Sequence, residues 1–83
     1  MNAEDLLPDA INQADIDGVV VRKGTVGAFL ANARVWSDDG SPAQARRIAA
    51  SDILDALPAL RALRIFEVLE IRDAALRALV DAN

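Results

Sequence analysis

The segment Arg22-Lys23-Gly24-Thr25-Val26-Gly27 is the stretch of this chain whose residue types and spacing fit a ligand cradle. A basic pair and two glycines at the start of a helical pattern would present positive charge and free backbone N–H groups to a small anion. The spacing is neither that of a P-loop, G-x-x-x-x-G-K-[ST], nor that of a dinucleotide turn, G-x-G-x-x-G, so no triphosphate or dinucleotide site is implied. The competing reading is structural: a strand-to-helix turn in which Gly24 takes a positive φ and Thr25 caps the helix. Arg22, Lys23, Gly24, Thr25 and Gly27 are thus candidate anion-binding residues, set against a plain capping turn.

Other chemistry is scarce. The chain has no cysteine and no histidine, which removes disulfides, thiolate metal sites, the commonest metal ligand and the commonest general base. Thr25, Ser37, Ser41 and Ser51 have no base of the usual kind to activate them. Carboxylates pair at Asp38-Asp39, at Asp52 with Asp55 and at Glu67 with Glu70. The first pair suits a turn, and the other two, three residues apart on helical segments, suit a solvated face. No catalytic residue, metal site or cofactor is expected, and the chain does not read as an enzyme. Arg46-Arg47 and Arg61 with Arg64 would suit a helix-turn-helix reader of DNA, but Asp52, Asp55, Glu67 and Glu70 interleave with them and repel phosphates. Ion pairing on a helix surface is the expected role of these arginines.

The run Lys23-Gly24-Thr25-Val26-Gly27-Ala28-Phe29-Leu30-Ala31-Asn32 resembles a segment, K-G-T-V-G-A-x-L-x-N, found in a group of small bacterial proteins. Apolar positions around Ile65-Phe66-Glu67-Val68-Leu69 correspond too, and the likeness covers about a quarter of the chain. The resemblance implies a small bacterial domain. It carries no activity and no catalytic residue across.

Local patterning places these residues. Val19-Val20-Val21 are β-branched and bounded by Asp17-Gly18 and Gly24, which predicts a short strand over 19–22. Asp17-Gly18 could close a hairpin with residues 12–16, although that arm has poor strand composition; otherwise the strand has no partner in the chain. From Thr25, Val26, Phe29, Leu30, Ala33 and Trp36 recur at helical spacing within one arc. Ser37-Asp38-Asp39-Gly40 is a turn, and Ser41-Pro42-Ala43-Gln44 predicts a capping box with a second helix starting at Pro42. That helix should end near Ala56, because Leu57 precedes Pro58. A third helical stretch follows from Pro58 to Ala82. Leu60, Leu63, Phe66 and Ile71 fall off its main apolar face, so it either breaks between Leu69 and Asp73 or packs a second face on another chain. Pro8, after Leu6-Leu7, suits the first turn of a further helix.

The 83 residues fit one small domain, with 1–17 an acidic and poorly ordered segment. Glu4, Asp5, Asp9, Asp15 and Asp17 are too few for a DNA mimic and read as solubilising. With two phenylalanines and one tryptophan, the core must come from Leu, Ile, Val and Ala, and a core that thin is often completed across a subunit interface. The net charge of −4 argues against nucleic acid, and no apolar run is long enough to span a bilayer. No signal-peptide pattern opens the chain, and the expected location is cytoplasmic. Eight arginines against one lysine look like GC-rich bacterial coding. The expected fold is mainly α, three or four short helices with one short strand over 19–22 before the first strong helix. The expected function is a protein interaction module, either a homodimer or a partner of a second protein. Its interface would use Val20 on the strand or Leu60, Leu63, Phe66 and Ile71 on the C-terminal stretch. Small-anion binding between Lys23 and Gly27 is the alternative.

Overall fold

The computed structural model describes residues 12–83; the reading of Leu6-Leu7-Pro8 and the acids Glu4, Asp5 and Asp9 lie outside them. Asp17-Gly18 shapes the first element. Asp17 has φ 52° and Gly18 φ +81°, the left-handed pair that a two-residue hairpin turn needs to match strand twist. The Asp15 side chain supports the turn by accepting the Gly18 N–H at 2.9 Å. Strands β1 (Gln13–Ile16) and β2 (Val19–Arg22) flank it as an antiparallel pair, with Ile16 opposite Val19 and Gln13 opposite Arg22. The Lys23 N–H donates to the Asn12 carbonyl at 2.9 Å and extends the ladder. The strand expected over 19–22 is therefore the second arm of a hairpin and has its partner within the chain. Val21 is buried at 1 % exposure, whereas Val20 on the other face is exposed.

Helix α1 (Thr25–Ser37) buries Phe29 and Ala33 and packs Val26 and Trp36 against the core. Leu30, expected in the same inward arc, is 53 % exposed. The cap also differs from expectation. Gly24 holds the cap position at φ −86°, with no side-chain cap, and Thr25 is already helical. The chain passes from strand to helix through backbone angles that any residue adopts, so Gly24 does not need the left-handed region and Thr25 does not cap.

In the next turn, the Asp38 carboxylate accepts the Gly40 N–H at 2.8 Å and the Asp38 carbonyl accepts the Ser41 N–H at 3.0 Å. Helix α2 (Ala43–Ala62) follows. Its first intrahelical bond runs from the Arg46 N–H to the Pro42 carbonyl at 3.0 Å, so Pro42 occupies the cap and Ser41 stands one residue too early. The capping box does not form. The helix also runs through Pro58 rather than stopping near Ala56. Interior proline costs about 3 kcal/mol. Pro58 lies on the solvent side, while Leu57 before it and Leu60 after it are fully buried. At about 1.5–3 kcal/mol for each buried leucine, continuing the helix offsets the lost bond.

Helix α2 ends where Arg64 turns left-handed at φ 60°. A single 3-10 turn (Ile65–Glu67) and a connector over 68–73 lead to α3 (Ala74–Asp81). Asp73 caps α3 by accepting the Leu76 N–H at 2.9 Å. The break thus begins earlier than the predicted interval between Leu69 and Asp73. Phe29, Ala33, Ile53, Leu57, Leu60, Leu76 and Val80 form the core, with Ile65, Phe66, Ile71 and Leu79 packed against it. Phe66 meets Phe29 edge-on, with ring centroids 6.2 Å apart at 68°. Leu60, expected at an interface, is 0 % exposed. Turning the chain at Arg64 brings the supposed second apolar face back onto the first.

Candidate functional site

Helical spacing on α1 sets Val26, Leu30 and Ala33 along one side, and the 3-10 turn with its connector sets Ile65, Phe66, Leu69 and Ile71 opposite them. Leu76 of α3 lies between. These residues line an apolar groove of about 320 Å³. Leu30 and Leu69, 53 % and 59 % exposed, stand on its walls, and Val68 beside it is 84 % exposed. Glu70, Arg72 and Asp73 supply its polar edge.

Ion pairs hold the connector. Arg64 donates from Nε and Nη2 to the two Glu67 carboxylate oxygens at 2.7 and 3.0 Å. That hydrogen bonding holds the Glu67 carboxyl below its ordinary range and raises the Arg64 guanidinium above its own. Arg77 donates from Nε and Nη2 to the Ile71 carbonyl at 2.9 and 2.7 Å, and its Nη2 pairs with Glu70 at 2.8 Å. The polar edge is therefore largely neutralised by the chain itself. Apolar walls of this kind take up apolar side chains, at about 25 cal/mol per Å² removed from water.

The predicted anion residues lie elsewhere. Arg22, Gly24 and Thr25 line a second groove, of about 580 Å³, between β2, α1 and α2, and Asp52 and Asp55 of α2 line it with them. Two carboxylates facing one guanidinium oppose an incoming anion. Lys23 and Gly27 are exposed beside this groove. Val20 belongs to the second groove, whereas Phe66 and Ile71, both half-buried, belong to the first; Leu63 is half-buried and Leu60 fully buried. The five proposed interface residues therefore do not share one surface.

The basic clusters serve the fold. Arg46 Nε donates to the Trp36 carbonyl at 3.2 Å, and Arg61 donates to the main-chain oxygens of Asn83 and Val80 at 3.0 and 3.2 Å. Sequence reasoning missed Leu30, Val68 and Leu69 as surface residues. Leu30 has the spacing of a core position, and Val68-Leu69 sat within an assumed helix, so only the turn at Arg64 exposes the signal. Among the described residues, no helix is long and apolar enough to cross a membrane, and no group of three acidic side chains converges as a metal site would need. Comparison with family models, with curated proteins and with solved structures finds no match to this chain, so its function is read from its own chemistry.

Proposed function

We propose that the protein is an interaction module that works as a homodimer, with the apolar groove between α1 and the connector as its contact surface. The supporting observation is that Leu30, Phe66 and Leu69 line one apolar groove with Leu30 and Leu69 more than half exposed, and that Val68, next to Leu69 in the chain, is 84 % exposed. Exposed apolar surface gathered in one place marks an interaction site, whereas scattered residues do not. A second copy is the occupant because Glu67 and Glu70 are paired with Arg64 and Arg77 of the same chain. With its charge satisfied internally, this edge neither repels its own copy nor selects a partner of opposite sign, and two-fold dimers bury the same patch on both subunits. The bacterial, cytoplasmic setting suggested by the composition belongs to the same proposal.

Light scattering over a concentration series tests it. The wild type is expected at twice the chain mass, and Leu30→Asp at the chain mass with an unchanged circular dichroism spectrum. A wild type that keeps the chain mass at several hundred micromolar refutes the proposal.

A further inference from the structure

We infer that the dimer forms by exchange of α3, the helix of each copy filling the site that the structure shows its own α3 occupying. This rests on the homodimer reading above and specifies how the second copy is bound. The acceptor is already fitted to its occupant. Leu76 and Val80 bury themselves in the cluster that contains Ile53, Leu57 and Leu60, and Arg61 fastens the far end through Val80 and Asn83. A second copy brings the same side chains, so every one of these contacts can be remade between chains without loss.

The arrangement of the ion pairs points the same way. Arg77 is on α3, and its partners Glu70 and Ile71 are on the connector just before it; all three move together when α3 moves. Arg64 and Glu67 both lie before the connector and stay behind. Exchange therefore breaks neither of these ion pairs among the described residues. The connector, residues 68–73, contains neither helix nor strand, and with Glu70 and Ile71 held to Arg77 the segment that opens is Val68-Leu69. Val68 and Leu69 lie at its start. They are the two most exposed large apolar residues among those described, and within one closed chain they stay in water. When two connectors cross at a two-fold axis, these residues meet their counterparts and leave water, a gain absent from the closed monomer.

The test uses the full wild-type chain. Uniformly ¹³C-labelled and unlabelled protein are mixed in equal amounts in urea, refolded together, and examined by isotope-filtered NOE spectroscopy at a concentration where light scattering gives the dimer mass. Exchange predicts interchain NOEs between the methyl groups of Leu76 and Val80 and those of Ile53, Leu57 and Leu60. A dimer in which these NOEs arise only within one chain overturns the exchange and leaves the homodimer reading standing. A monomer mass at several hundred micromolar overturns both.

Discussion

Leu60→Ala and Leu69→Ala make the same chemical deletion at two positions that a straight-helix pattern ranks in the opposite order, with Leu69 on the main apolar face and Leu60 off it. Leu60 is 0 % exposed and Leu69 is 59 % exposed. At Leu60 the loss combines the transfer free energy of a fully buried side chain with a cavity that the surrounding Ile53, Leu57 and Val80 fill only in part, about 2–5 kcal/mol. At Leu69 the chain forfeits a contact that is mostly with water, within about 0.5 kcal/mol. A domain of this length is stable by about 4–12 kcal/mol, so a loss near 3 kcal/mol is a large share of the total. It corresponds to a fall of about 12–24 °C in midpoint for a domain of this size. The assay is thermal denaturation followed by circular dichroism, run for both variants over a dilution series so that any concentration-dependent part of the midpoint is removed. Midpoints of the two variants lying within a few degrees of each other would refute the placement of Leu60 in the monomer core and return it to the interface.

Gly27 sits inside α1 with helical backbone, and a Cβ added there meets nothing within 4 Å. Gly27→Ala should therefore raise stability by about 0.5–1 kcal/mol, the usual helical preference for alanine, and a lower urea midpoint would refute it. Arg61→Ala removes both donors that hold the end of α3, one of them to the partly buried Val80 carbonyl. A loss of about 1–2 kcal/mol is expected, with faster amide hydrogen exchange confined to residues 76–83; exchange accelerated uniformly along the chain would show that α3 is not a separately docked unit.

Strand β2 and α1 were legible because their signals are local, whereas β1, with its poor strand composition, was not assigned as the partner of β2. Asp17-Gly18 specifies the turn by its own backbone preferences, and the apolar spacing after Thr25 needs no knowledge of what it packs against. Two other local rules failed where tertiary burial outweighed them. The pre-proline rule stopped α2 at Ala56, yet Leu57 and Leu60 on either side of Pro58 are both core residues. The serine cap failed by a single position, since Pro42 supplied the carbonyl that opens the helix. The end of α2 carried no signal at all: an arginine in left-handed geometry does the work usually given to glycine, held in place with Glu67. The groove was hidden for the same reason, because Leu30 and Leu69 meet across it only after the chain has turned at Arg64.

The order of elements along the chain has a consequence for how the molecule assembles. β1 and β2 are neighbours in sequence, and so are α1 and α2, so most of the structure forms by closing short loops. Short loops cost little entropy to close and give rapid folding. The longer closures are those that seat β2 on α2 and α3 on the α1–α2 pair. Helix α3 is the last element in the chain, and its docking completes the core. A chain whose α3 is undocked leaves the cluster of Ile53, Leu57 and Leu60 without Leu76 and Val80, and under the exchange proposed above the concentration of neighbouring chains sets whose helix fills that site.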